Sequence, residues 1–289
     1  MFYILRRKGL GLGSTKAIKK LSQHEITLIL NNKLPEFTDD DVVLRWGTTA
    51  NLIEQPPTST NIYTCKVLNS CIAIHTVNDK SFFRQTLQLQ APHLIPKTWF
   101  NYENPEITYP CILRPQTHAQ GKNLFFCENK KDLEFHLSHN PIFPNNNYYI
   151  SEYIPKVAEY RVCFIQGLVA WVAKKTPKNP QDIAWNVAKG GKFKNVNWKA
   201  WPIDVIETAY QAYIISGLYL GGVDVMVDEK GRSYVLEINS APSHTSPYRQ
   251  SCTTKCIDYG ITHNMFNHLQ PNDNFKKYSK WLHPALKKV

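Results

Sequence analysis

Two carboxylates and an amide, Asp224, Glu237 and Asn239, are spaced along the stretch GGVDVMVDEKGRSYVLEINSAP, Gly221 to Pro242. Side chains on a strand alternate faces, so Glu237 and Asn239 share one face while Tyr234, Leu236 and Ile238 share the other, the apolar core face. A turn at Asp228-Glu229-Lys230-Gly231 folds the stretch into a hairpin, and regular pairing places Asp224 nearly opposite Val235 and diagonal to Glu237. Carboxylates that close repel unless a cation lies between them, and an all-oxygen set suits Mg²⁺ better than Zn²⁺. The alternative is a solvated strand face whose acids have no partner.

Other elements must hold that hairpin in place. Phe2 to Arg7 reads as a strand, followed by a Gly-rich turn, a helical stretch from Ser14 to Leu21, and strands at EITLILN and DVVLRWG, a βαβ beginning that predicts a small α/β domain. The glycines of GLGLGS lack the spacing of a dinucleotide or P-loop motif. Asn78 to Pro92 predicts a helix capped by Asp79, with Phe82, Phe83, Leu87 and Leu89 at helical spacing. Strands follow at IPKTWF, PCILRP, NLFFC and NYYISEYIP, with a helix over Lys130 to Ser138. EYRVCFIQGLVAWVAKK reads as a hairpin turning at Gln166-Gly167, and Ile203 to Leu220 as an amphipathic helix directly before the acidic hairpin. A polar loop and a helical tail are expected after Pro247.

Composition narrows the class. Hydrophobic residues make up 43% and charged residues 20%, which describes a globular chain rather than a disordered one. The longest apolar runs, such as Ala209 to Gly222, fall short of a membrane span, so no membrane partner is expected. The start, five apolar residues before Arg6-Arg7-Lys8, is the reverse of a secretory signal, and a cytoplasmic protein is expected. Seven cysteines, an odd number set singly in strands, fit reduced thiols, and Cys252, Cys256 and His263 match no standard zinc spacing. The net charge of +11 calls for an anionic partner: a nucleotide, an acidic peptide, or an anionic polymer such as a nucleic acid. Lys189 to Trp201 interleaves lysines with aromatics and is the most nucleic-acid-like segment.

Four further polar features precede the hairpin in order: Lys80 at a helix start, Arg114 at a strand end, Glu152 at a strand end, and Arg161 on a strand. With Asp-x₁₂-Glu-x-Asn they resemble the ATP-grasp superfamily of carboxylate-amine ligases, and most of all its RimK-like and phage-encoded members. The resemblance covers roughly Asn78 to Pro242 and implies an α+β fold, ATP-grasp, with a preceding small α/β domain. Its divisions would be 1–77 for that domain, 78–155 for the ATP-grasp small subdomain with its linker helix, and 156–289 for the central and C-terminal subdomain.

The resemblance also implies roles. Lys80 and Arg114 would clamp the ATP phosphates, under a flexible loop containing Gly121. Glu152 with the backbone of Tyr153 and Ile154 would read adenine, and Glu159 would hold the ribose. Arg161 would stabilise the acylphosphate or tetrahedral intermediate. Of Lys174 and Lys175 only one can face the phosphates, and Lys174 is the choice made from the sequence. Asn186 would ligate metal or orient substrate. Asp224, Glu237 and Asn239 would hold Mg²⁺, two ions with Glu237 shared, or Mn²⁺. His118 and His244 are weaker acid-base candidates. The activity implied is ligation of a small-molecule or peptide carboxylate to an amine acceptor, giving ADP and phosphate, in the host cytoplasm if the chain is phage-encoded. The alternatives are a phosphotransferase on the same fold and an inactive scaffold that binds nucleic acid or another polyanion.

Overall fold

A computed structural model of the chain describes residues 1–7, 12–48, 65–116, 123–143, 147–179, 181–185 and 190–267. Three sheets are present among these residues. The first is parallel, order β2-β1-β3-β4, from Phe2–Arg6 (β1), Ile26–Leu30 (β2), Val42–Arg45 (β3) and Lys66–Leu68 (β4), with helix Gly13–Leu21 (α1) crossing between β1 and β2. Every residue of β1 is buried, as a central parallel strand covered on both faces requires.

Helices Cys71–Asn78 (α2) and Lys80–Gln90 (α3) follow. Asp79 caps α3 by accepting from the Phe82 N–H at 2.9 Å, as its residue type predicts, and Ser70 caps α2, a helix not anticipated from the sequence. On α3 only Phe83 and Leu87, one turn apart, reach the core; Phe82 and Leu89 are exposed. Both helices pack with the central sheet described below, in the same core as its inner face. The small antiparallel sheet runs β5-β8-β6-β7, from Thr98–Trp99 (β5), Cys111–Pro115 (β6), Phe125–Cys127 (β7) and Tyr148–Glu152 (β8), with helix Lys130–His139 (α4) packed on β7.

The central sheet is antiparallel, order β11-β10-β9-β12-β13: Lys156–Ile165 (β9), Leu168–Thr176 (β10), Lys192–Asn195 (β11), Leu220–Asp228 (β12) and Ser233–Asn239 (β13). Gln166 and Gly167 both take positive φ, 49° and 78°, the geometry of a two-residue hairpin turn that follows strand twist. Helix Ile203–Ser216 (α5) stops four residues before the expected end, because Gly217 enters the left-handed region at φ 66° and Leu220 already begins β12. Helix Pro247–Thr262 (α6) starts at once after Ser246, whose side chain caps it.

One face of this sheet, with Val162, Phe164, Val223, Val225, Val235 and Ile238, packs against α2, α3 and α5. On the opposite face Cys163, Ile165, Trp171 and Ala173 meet Phe2, Ile4 and Trp46 of the first sheet together with Ile257 of α6. Apolar packing covers only part of that second face. The rest of it carries charge.

Candidate active site

Alternation along β9 puts Glu159 and Arg161 on the same face as Cys163, away from the helices. Their cross-strand neighbours complete a row. Asp224 on β12 pairs with Arg161, Met226 with Glu159, and Lys175 on β10 lies opposite Glu159 and also opposite Phe193 on β11. Asp224 in turn faces Glu237 on β13, and Gly222 faces Asn239. A single sheet face thus carries aromatic, cation, acid, cation, acid and acid side by side.

Two β-bulges set this arrangement. From the turn at Gln166-Gly167, Leu168 pairs with Ile165 and Val169 with Phe164, a register that if continued would put Lys174 opposite Glu159. The register shifts between Val169 and Trp171, so Lys175 takes that position instead. The sequence-based choice of Lys174 is therefore corrected: Lys174 is exposed, its ammonium 5.8 Å from the Tyr160 ring, while Lys175 is buried on the cleft floor. In the acidic hairpin Val225 pairs with Val235, yet Asp224 pairs with Glu237, leaving Leu236 as the extra residue. The regular pairing expected for Asp224 is corrected in the same way. Because of the bulge Val235 and Ile238 both reach the core while Leu236 lines the cleft with Glu237.

The charges close on one another. Arg161 grips Asp224 with two parallel bonds, Nε to Oδ1 at 2.5 Å and Nη2 to Oδ2 at 2.7 Å, the bidentate geometry that guanidinium favours. Lys175 Nζ donates to Asp224 Oδ2 at 2.8 Å and to Glu159, which also accepts from Lys156 at 2.5 Å. Glu237 Oε1 accepts from the Asn239 amide at 3.1 Å and lies 3.8 Å from Arg161 Nη2. Burial alone would raise the Glu237 carboxyl, but Lys80, Arg161 and Lys175 outweigh it and hold it down to about 2. Burial likewise pulls Lys175 and Arg161 down, and the acids around each outweigh it, so both are raised.

The row forms the floor of a cleft of about 910 Å³. Arg114, Glu152, Tyr153 and Ile154 from the small sheet line its wall, and Glu159, Arg161, Asp224, Glu237 and Asn239 its floor. The Tyr153 N–H donates to the Pro110 carbonyl at 3.2 Å, so that N–H is already engaged. Glu159 lines the cleft with its carboxylate already shared by two lysines.

Lys80 is placed differently from the role expected of it. Its ammonium donates to the Val77 carbonyl at 2.9 Å and the Ile238 carbonyl at 2.8 Å, behind β13 and off the cleft lining. Burial lowers its pKa, partly offset by Glu237 and Asp224 on the floor above it. His244 is no acid-base group here. It is fully buried, edge-on to Trp46 and Trp171, its Nδ1 donating to the Pro242 carbonyl at 2.7 Å, and burial holds it down to about 3. Gly121, His118 and Asn186 lie outside the described residues.

Several lining residues were given no role from the sequence: Arg84, Lys156, Phe193 and Arg249. Arg84 donates to the Leu236 carbonyl at 3.1 Å, fastening the bulge from α3. Gly222 carries a legible signal only in hindsight, since a Cβ there would come within 2.8 Å of Pro242 Cβ, and its absence lets the loop after β13 settle over Arg161.

The donor set fits a divalent cation by its chemistry. Asp224 and Glu237 sit directly opposite each other beside the Asn239 amide, all oxygen donors, with Glu237 held ionised. A carboxylate oxygen accepts more than one partner, so the bonds to Arg161 and Lys175 do not exhaust Asp224.

Solved structures share this architecture. D-alanine–D-alanine ligase from Bacillus anthracis is 13% identical with a TM-score of 0.61, covering 92% of this chain and 95% of that one. The ATP-grasp ligase PsnB, solved with a minimal precursor, Mg and ADP, is 15% identical with a TM-score of 0.60, covering 91% and 97%. A RimK domain ATP-grasp protein from Sphaerobacter thermophilus is 16% identical with a TM-score of 0.58, covering 88% and 98%. No curated protein sequence matches the chain. The model of the RimK-like ATP-grasp domain matches residues 75–258, nearly all of the helices and strands that build the cleft, and the chain belongs to that family.

Proposed function

We propose that this protein is an ATP-dependent ligase that joins a carboxylate to an amine through an acylphosphate, releasing ADP and phosphate. The observation that carries the reading is the charged row on one face of the central sheet, within the family-matched segment and open to a cleft of nucleotide size. Similar folds support it: D-alanine–D-alanine ligase has been solved with ATP, and PsnB with Mg and ADP.

In this reading the wall from Glu152 to Ile154 takes the base, and Arg114 with Lys175 meets the phosphates. Asp224, Glu237 and Asn239 hold Mg²⁺, two ions or Mn²⁺ in its place, which when bound neutralises phosphate charge and orients the transferred group. A substrate carboxylate attacks the γ-phosphate, and an amine then displaces phosphate from the acylphosphate, losing its proton. Arg161 is poised between Asp224 and Glu237, so it presents a permanent cation where negative charge builds in both steps. Its bidentate hold on Asp224 keeps it there before substrate arrives, so little reorganisation is left for the reaction.

Thermal unfolding with ATP, GTP and ADP, each with and without Mg²⁺, tests the reading, because a ligand that binds only the folded state raises the melting temperature. An ATP-selective, Mg²⁺-dependent rise is expected, lost in Asp224→Asn. ADP release on adding both a carboxylate and an amine, with amide product by mass spectrometry, is the second expectation. Phosphorylated carboxylate or alcohol with no amide would replace the ligase by a phosphotransferase, and no response to any nucleotide would overturn the reading.

A further inference from the structure

Each cation on the central part of the cleft floor is ion-paired. Arg161 holds Asp224, Lys175 holds Asp224 and Glu159, and Lys156 holds Glu159. Arg249, near the start of α6, lines the same cleft and is 6% exposed, yet it makes no ion pair among the described residues. Its Nε donates to Ser246 Oγ at 3.0 Å, and its guanidinium carbon lies 5.4 Å from the Trp171 ring and 5.4 Å from the Phe193 ring. The charge nearest in effect is another cation, Arg161, whose guanidinium lies 5.0 Å from the same Phe193 ring. Burial, and after it Arg161, lowers the Arg249 pKa, but a guanidinium stays charged at any physiological pH.

A buried, unpaired charge is costly, and a ligand that supplies the counter-charge offsets that cost. The aromatic bed holds the guanidinium in place, and Thr253 fixes that bed by accepting from Trp171 Nε1 at 3.2 Å. A planar fork of donors held in advance matches a carboxylate in two parallel bonds. Ser243 and Thr245, from the loop after β13, line the same cleft. Phe193 is shared by Arg161 and Arg249, so this end lies one side chain away from the place where the reacting group meets Arg161.

We propose that Arg249 is a specificity-determining residue that binds a second, non-reacting carboxylate of the substrate. Calling the bound molecule a substrate rests on the ligase reading; the anion subsite itself does not. Two sources share this chemistry: the α-carboxylate of an amino-acid acceptor, and the second carboxylate of a dicarboxylate donor.

Thermal unfolding of the full chain, alone and with Mg²⁺–ATP, is measured with L-alanine and its amide, with glutarate and its diamide, and with inorganic phosphate. The expected result is a rise with L-alanine or glutarate and none with the matching amide, with Arg249→Gln weakening the apparent affinity at least tenfold and Arg249→Lys restoring part of it. The ligand-induced shift is read against each variant's own baseline, so a merely structural role for Arg249 leaves it unmoved. A rise with L-alanine assigns the acceptor, and one with glutarate the donor. The proposal is overturned if Arg249→Gln keeps the rise, if neither carboxylate at tens of millimolar shifts the wild type, or if phosphate shifts it equally. A carboxylate rise that depends on Arg249 but comes with no response to Mg²⁺–ATP sinks the ligase reading and leaves the subsite standing.

Discussion

The two hairpins of the central sheet both deliver chemistry to the cleft, and both do so through a bulge, but at different distances from it. In β9–β10 the register shift falls between Val169 and Trp171, near the turn, and Lys175 inherits its effect several residues later. In β12–β13 the shift lies beside the acids themselves, between Asp224 and Val225. A remote bulge chooses which of two adjacent lysines reaches the floor; a local bulge sets an acid directly against an acid and brings an apolar side chain, Leu236, into the cleft wall. Asp224 is where the two meet, since β12 pairs with β9 on one side and β13 on the other.

Breaking that junction has the largest expected effect. Asp224→Asn leaves Arg161 and Lys175 buried with half their compensation and is expected to cost about 3–5 kcal/mol in urea unfolding. A loss under ~1 kcal/mol would mean that the two hairpins are not coupled through it.

The lysine pair sharpens the comparison further. Lys175→Met strips a partner from both Glu159 and Asp224, each of which keeps another, so about 2–3 kcal/mol is expected. Lys174→Met, one residue away on the exposed face, should stay within about 0.5 kcal/mol. Equal effects would place the register shift elsewhere.

Acid separates the site from the loop that covers it. Glu237 has its carboxyl lowered from 4.5 to about 2 on folding, so its stabilisation is complete above the unfolded value and lost as pH falls between the two. His244 is lowered from 6.5 to about 3 by burial, so the unfolded chain binds its proton first and stability declines across that higher window. Unfolding free energy measured against pH should therefore flatten between pH 4.5 and 2 in Glu237→Gln, and between pH 6.5 and 3 in His244→Gln. The smallest stability change is expected at the wall: Glu152→Gln should stay within about 0.5 kcal/mol while narrowing the preference for ATP over GTP in the thermal assay.

Much of this was legible from residue order. Asp79 as a cap, the turns at Gln166-Gly167 and Asp228 to Gly231, and the strands of the small sheet follow from local chemistry, in which a residue's own side chain satisfies or permits its own backbone. The acids of β9, β12 and β13 were legible as well, because charged residues in otherwise apolar strands are conspicuous. Lys80 misled, since a lysine at a helix start looks free for phosphate in sequence and only packing shows its ammonium spent on the Val77 and Ile238 carbonyls. Arg249 was silent, being one basic residue among 34 until Trp171, Phe193 and Ser246 close around it.

The amino-acid sequence by itself determined which chemical groups the chain owns, where its turns fall and to which family its order of motifs belongs. Only the tertiary structure decided which of those groups face the cleft. Alternation along a strand has a period of two, so one extra residue in a bulge reverses the face of everything beyond it, and a bulge forms where cross-strand packing, not local preference, has the lower free energy.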